Sequence, residues 1–329
     1  MTTVPSSGVQ SGLDVDVIAA DCRAVLDAVG TVVVGRERTT RLALAAVLAG
    51  GHVLLEDVPG LGKTLLARSL AQALGLDFKR LQCTPDLLPA DVTGSYLYDP
   101  TEREFSFRPG PVFTGLLLAD EINRTPPKTQ SALLEAMQER QVTVEGHTHV
   151  LRRPFHVLAT ANPVEYEGTY PLPEAQLDRF LVRLDVGYPP AEEEAEVLRR
   201  RLARRREETE VAPVVDAERL RHLQSSVERV DVDPDVLRYC VDLAAATRQH
   251  PTVEIGASPR GSQALLLVSR CLAVLDGREF VLPEDVKECA VAALAHRLTL
   301  RAETWSTGAT AVQVVTELLG QVPGPASTR

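Results

Sequence analysis

Val53-Leu54-Leu55-Glu56-Asp57-Val58-Pro59-Gly60-Leu61-Gly62-Lys63-Thr64 decides how the rest of the chain is read. A short apolar run leads into a Pro/Gly turn, and helix-forming residues follow. That is the order of a buried strand, a phosphate-binding loop and a helix N-terminus. Backbone N–H groups of such a loop point at phosphate oxygens, and the helix end adds partial positive charge. In this register Lys63 reaches the β/γ-phosphates and the Thr64 hydroxyl ligates Mg²⁺. The cradle runs through Pro59, Gly60, Leu61, Gly62, Lys63, Thr64 and Leu65. The strict G-x-x-x-x-G-K-[ST] pattern asks for glycine at 57, and Asp57 stands there. A carboxylate beside a polyphosphate is unfavourable, so the loop needs support from elsewhere in the chain.

Moving outward, segments alternate between strand and helix. Helices are expected from Asp14 to about Val29 and from Arg36 to Leu48, with Gly50-Gly51 ending the second. Strands are expected at 53–56, 77–82, 116–120 and 155–160, with helices at 63–74 and 127–139. Strands alternating with helices predict a parallel sheet covered on both faces, with its ligand site at the carboxyl ends of the strands. Two alternating stretches, 94–107 around a polar tip and 141–150 around Glu145-Gly146, predict hairpins. Beyond Pro189-Pro190 the remaining segments read as helices only: 191–209, 216–229, 234–249, 259–275, 283–298 and about 308–320. The expected fold class is therefore α/β, with inserted hairpins and an all-helical C-terminal domain. The boundaries are a loose tail at 1–12, an α/β nucleotide-binding domain at 13–189 and a helical lid at 190–329.

Bulk properties narrow the class. The chain has 329 residues and a formal net charge of −10, which disfavours a surface built for nucleic acid or anionic lipid. Five cysteines lack C-x-x-C spacing and read as small buried hydrophobes of a reducing compartment. The first ten residues lack the basic and apolar regions of a signal peptide, and the longest apolar run is broken by Gly50-Gly51. A soluble cytoplasmic protein without a membrane span is expected. The run Glu192 to Glu210, with seven acids and six arginines, reads as a solvated helix with i,i+4 pairs.

Two further strand ends carry chemistry. Leu116-Leu-Leu-Ala-Asp120-Glu121 is an apolar strand ending in two acids. Asp120 suits the Mg²⁺ role, and Glu121 suits the base that orients or deprotonates the attacking water; the plain alternative is a helix cap. Phe155-His-Val-Leu-Ala-Thr-Ala-Asn162-Pro163 ends in an asparagine able to hold the lytic water, against the alternative of a simple Asn-Pro turn. Near Leu172-Pro-Glu-Ala-Gln-Leu-Asp178-Arg179-Phe180 the order of motifs resembles AAA+ ATPases, and the long phrases resemble the MoxR family. Those phrases are Gly51 to Thr64, Gln82-Cys-Thr-Pro-Asp-Leu-Leu-Pro-Ala-Asp-Val-Thr-Gly94, Asp120-Glu-Ile-Asn-Arg-Thr-Pro-Pro-Lys128 and 172–180. The resemblance runs from about residue 14 to 320, and in that family the first loop glycine is often missing.

The resemblance implies roles position by position. Val34 and Gly35 touch adenine. Asn162 is sensor 1. Arg260, within Ser258-Pro259-Arg260, is sensor 2 and contacts the γ-phosphate of its own subunit. Arg179 is the arginine finger offered to a neighbouring subunit, and Arg124 is a second candidate; each has an ordinary ion pair as its alternative. ATP and Mg²⁺ are the implied cofactors. The implied partners are other copies in a ring, a hexamer, and a protein client, often one with a von Willebrand factor A domain and its metal ion. A magnesium-chelatase-like motor, a DNA-remodelling or transcription regulator and a non-enzymatic ATP-sensing scaffold are the rival readings. His147 and His149 share a hairpin face and read as polar surface before they read as metal ligands. Trp305 reads as a packing anchor. The hairpin aromatics Tyr96, Tyr98, Phe105 and Phe107 read as a small core, or else as client contacts in a ring pore.

Overall fold

The computed structural model describes residues 14–58, 60–162, 168–205 and 209–325, apart from the side chains of 305–307. The expected tail and the Trp305 anchor lie outside the described parts. In chain order the elements are α1 (Val15–Gly30), α2 (Glu37–Leu48), β1 (Val53–Glu56), α3 (Lys63–Ala73), β2 (Phe78–Gln82) and α4 (Pro89–Thr93). A hairpin follows, β3 (Gly94–Asp99) and β4 (Glu104–Pro109), then β5 (Leu116–Asp120) and α5 (Pro127–Glu139). A second hairpin, β6 (Gln141–Val144) and β7 (His147–Val150), precedes β8 (His156–Ala161), α6 (Glu174–Leu177) and β9 (Val182–Leu184). The rest comprises α7 (Ala191–Arg204), α8 (Ala217–Val227), α9 (Pro234–Gln249), β10 (Val253–Ile255), α10 (Pro259–Leu275), α11 (Pro283–Leu294), β11 (Thr299–Leu300) and α12 (Ala311–Gln321).

The sheet is parallel, in the order β2-β5-β8-β1-β9. Its central strands β5 and β8 are buried at every residue. Alternate side chains go to opposite faces, as the pleat requires. Val53, Leu55, Leu116, Leu118 and Leu158 join one apolar cluster, while Leu54, Leu117, Ala119, Val157 and Ala159 join another beneath α5. The near-continuous apolar runs of the sequence are thus a consequence of covering both faces. No described helix is long and apolar enough to cross a membrane.

The first cluster does not stop at the sheet. It includes Leu42 and Val47 of α2 together with Leu223 of α8, Leu243 of α9, Leu265, Val268 and Leu272 of α10, and Val286 of α11. Helix α10 packs on both α1 and α2. The change of texture near residue 190 therefore divides two architectures that bury one shared core.

The expected all-helical second part needs a correction. It carries a small antiparallel ribbon, β10 with β11, paired at Val253↔Leu300. Strands of three and two residues show no readable periodicity, and the edge strand β9 was missed for the same reason. Both hairpins form where expected, with Tyr96↔Phe107 and Val142↔His149 in register. Glu145 and Gly146 both have positive φ, the requirement of a two-residue primed turn.

Two buried histidines tie the sheet to its surroundings. His52 Nδ1 accepts from the Val157 N–H (3.0 Å) and its Nε2 faces Met137 O (3.1 Å). His156 Nδ1 faces Gly51 O (2.9 Å), and its Nε2 faces the amide of Gln224 on α8 (3.1 Å), which also donates to Val47 O. Each ring thus spends one nitrogen as acceptor, so a second proton has no place to go. Burial lowers His52 to about 3 and His156 to about 4. Between the ordinary histidine value of about 6.5 and those values the unfolded chain binds more protons than the folded one. Stability should therefore be complete above pH 6.5 and fall below it, by up to about 1.4 kcal/mol per pH unit for each ring. Thermal melts from pH 7.5 down to 4.5 check this; a flat melting temperature would contradict it.

Candidate active site

At the carboxyl end of β1 the chain turns on Gly60 and Gly62, whose φ angles of 86° and 84° suit only residues without a side chain. Pro59 lies outside the described residues. Gly62 caps α3, so Lys63 and Thr64 open that helix. Lys63 is buried and its Nζ donates to Asp57 O (2.5 Å). Burial lowers its pKa, and the carboxylates of Asp57, Asp120, Glu121 and Glu56 oppose that shift. A buried ammonium aimed back at its own loop is what a phosphate ligand would satisfy. The doubt over Asp57 has a geometric answer. Its carboxylate accepts from Val58 N (2.7 Å) and from Gly187 N, which follows β9, so it is committed to the sheet edge.

Strand β8 lies between β1 and β5, which puts three strand ends side by side. Asp120 ends β5 and is buried; Oδ1 accepts from the Thr160 hydroxyl (2.6 Å), and Oδ2 receives Arg80 of β2 through two bonds (2.7 and 3.0 Å). Thr160 Oγ1 also accepts from the Glu121 N–H (2.7 Å). Glu121 adopts left-handed backbone (φ 60°, ψ 50°). That is strain for a non-glycine residue, of a kind that clusters at functional sites. Its Oε2 accepts from Gln82 Nε2 (3.0 Å) and from Arg124 Nη1 (3.3 Å), while Arg80 also donates to Gln82 (2.8 Å). Asn162 is buried just past β8 and exchanges bonds with Asn123: its carbonyl accepts from Asn123 Nδ2 (3.1 Å) and its N–H faces Asn123 Oδ1 (3.5 Å). The structure brings together the loop, Asp120, Glu121, Asn162 and Arg124. Thr160, Arg80 and Gln82 are the members that the sequence reading missed. The oxygens of Thr64 and Asp120 are the hard donors that Mg²⁺ takes.

Arg179 and Arg260 lie elsewhere. Leu181 N donates to His52 O, so the segment before β9 crosses the amino end of β1. Arg179 and Arg260 line a cleft there with Gly50, Gly51, Gln138 and Arg297. The loop is at the other end of the strand, roughly 20 Å away at about 3.3 Å per residue from Gly51 to Asp57. Arg260 was expected to touch the γ-phosphate of its own subunit. In this structure it does not approach the loop, because α10 docks its amino end against the β9 segment. Ser258 caps α10 and donates to Asp178 Oδ2 (3.1 Å); Arg260 stands 3.8 Å from the same oxygen. The buried Arg297 holds Oδ1 (2.7 Å). Asp178 is thus occupied by α10 and Arg297 rather than by its neighbour Arg179, which has no ion-pair partner among the described residues.

Val34 and Gly35 join α1 to α2, next to the turn after β9: Arg36 donates to Gly187 O (2.7 Å). His149 does not present a metal-binding face. It stacks on Phe107 (centroids 3.8 Å apart, 12° between planes) beside Tyr96 and Phe113, and this aromatic group joins the two hairpins. Among the described residues no group of three or more histidine, cysteine and acid side chains is arranged to hold a metal.

Two family models match, one described as "ATPase family associated with various cellular activities (AAA)" over residues 52–182 and one as an AAA lid domain over 245–318. An uncharacterized protein, YeaC of Bacillus subtilis, is 51% identical over 90% of this chain and 92% of its own. Chaperone MoxR1 of Mycobacterium tuberculosis is 43% identical, covering 84% and 75%. A solved structure of a candidate ATPase from Cytophaga hutchinsonii superposes with a TM-score of 0.88 at 40% identity, covering 95% of this chain and 97% of that one. The strand-end constellation, the lid and this full-length similarity agree, and the chain belongs to the MoxR family of AAA+ ATPases.

Proposed function

We propose that this chain hydrolyses ATP with Mg²⁺ at sites shared between neighbouring copies of a ring, a hexamer, and that the cycle remodels or matures a protein client. The separation of Arg179 and Arg260 from the loop carries this reading. Each copy has a cradle at one end of β1 and the guanidinium groups of Arg179 and Arg260 at the other, Arg260 beside Asp178. A head-to-tail interface would bring one copy's arginines to the next copy's phosphates, and such interfaces close into rings.

In each site Gly60 to Leu65 and Lys63 hold the phosphates. Thr64 and Asp120 would hold Mg²⁺, which when bound would supply positive charge to neutralise the phosphate oxygens. Glu121 takes a proton from the attacking water, which Asn162 orients. Before that, Glu121 must leave Gln82 and Arg124, and Asp120 must leave Arg80. Arg179 and Arg260 meet the charge spread over the transferring phosphoryl group. Similarity to a protein named Chaperone MoxR1 supports a chaperone-type role. A client with a von Willebrand factor A domain follows from the family resemblance. Reading the site as shared predicts that ATP turnover per chain rises with protein concentration and needs Mg²⁺. Phosphate release measured alongside mass photometry checks this; undiminished, concentration-independent turnover by a monomer would refute the shared site.

A further inference from the structure

The acidic start of α7 reads as a solvated face, yet Glu193 turns inward. Its Oε2 is buried and has no hydrogen-bond partner among the described residues. The carboxylate lies so close to Gly35 that a Cβ at that position would stand 1.7 Å from Oε2. Gly35 is also at φ +69°, so glycine is required there twice over. A favourable charge at the amino end of α7 accounts for exposed acids such as Glu192 and Glu194. It does not account for burying an unpaired oxygen, which costs free energy unless something donates to it.

The position of that oxygen suggests the donor. Asp57 at the phosphate loop binds Gly187 N; Gly187 O binds Arg36; and Arg36 follows Gly35. Helix α7 is fixed over the same corner by Arg200, which donates to Gly30 O (2.8 Å) and Thr31 O (2.9 Å). Continuous contacts thus lead from the loop to Gly35, the position where the family resemblance puts the base. We propose that Glu193 reads the base, its Oε2 accepting a hydrogen bond from the exocyclic N6 amine of adenine. This rests on the ATP site proposed above. An adenine nucleotide supplies the missing donor. A 6-oxopurine sets a carbonyl oxygen against the carboxylate at that position and is disfavoured, since its donors, N1–H and the 2-amine, lie further along the ring.

The test measures dissociation constants calorimetrically for ATP, GTP and the triphosphate of unsubstituted purine riboside, which lacks only the amine. Wild type, Glu193→Ala and Glu193→Gln are compared. Wild type should bind ATP about 10- to 100-fold tighter than the analogue lacking the amine, the range for a hydrogen bond to a charged acceptor. In Glu193→Ala that gap should close to about twofold or less, and the preference over GTP should shrink with it. In Glu193→Gln, whose amide also donates, GTP should gain most. Each comparison is a ratio within one variant, so a loss of folded protein cancels. An unchanged ATP-to-analogue ratio in Glu193→Ala would overturn the assignment. So would ATP and GTP tightening together, as for a side chain that merely fills the slot, or a wild type preferring GTP. Wild type binding no triphosphate would instead sink the ATP site itself.

Discussion

Glu121→Gln should bind ATP at least as tightly as the wild type and hydrolyse it about 10²–10⁴-fold more slowly, the usual worth of a positioned general base. The change is nearly isosteric. The glutamine oxygen can still accept from Gln82, and the left-handed turn at 121 depends on backbone contacts to Thr160 that the substitution leaves alone. One negative charge disappears beside the triphosphate, which favours binding if anything. What is lost for hydrolysis is the carboxylate's ability to take a proton from water; the contact with Arg124 (3.3 Å) changes from an ion pair to a neutral-acceptor hydrogen bond. Single-turnover phosphate release and equilibrium ATP binding, measured on the same preparation, separate the two effects. Wild-type hydrolysis by this variant would remove Glu121 from its catalytic role.

Arg179→Ala should cost about 10³–10⁵-fold in turnover, the range for a donated arginine finger. Truncation should leave the fold intact, since Arg179 holds no ion pair among the described residues and Asp178 is already held by Arg297 and Ser258. The decisive measurement mixes this variant with Lys63→Ala chains. Each variant alone is inactive. In a randomly mixed head-to-tail ring, about a quarter of the interfaces join an intact loop to an intact arginine. Turnover should recover to a corresponding fraction. A finger acting within its own chain would show no recovery on mixing. Arg260→Ala should follow the same pattern, because Arg260 lines the same cleft.

Long, doubly covered strands were legible because every residue of β5 and β8 is buried and most of them are apolar. For the same reason their ends were legible as sites: Asp120, Glu121 and Asn162 stand where the apolar run stops. Thr160 escaped notice inside such a run. Its importance depends on lying beside Asp120 across the sheet, and register between strands 40 residues apart is not written in either strand. Arg80 and Gln82 escaped for a similar reason, as polar residues on a strand whose partner could not be named in advance. Arg260 was expected at the loop end of the sheet, and it lies at the other. Motif order gives sequence along the chain, whereas the docking of α10 is decided by apolar packing on α1 and α2 and by the Asp178 contacts. Glu193 was hidden by its company: one inward acid among several outward ones has no sequence signal.

The apolar cluster that passes from α2 into α10 bears on how the protein can do work. A cap with a separate core can swing on its linker at small cost. Here the same swing would bare Leu265, Val268 and Leu272 on one side and Leu42 and Val47 on the other, at about 25 cal/mol for each Å² exposed. Each chain is therefore better described as a stiff lever than as a jaw, and in the ring proposed above its stroke would be felt at the joints between levers.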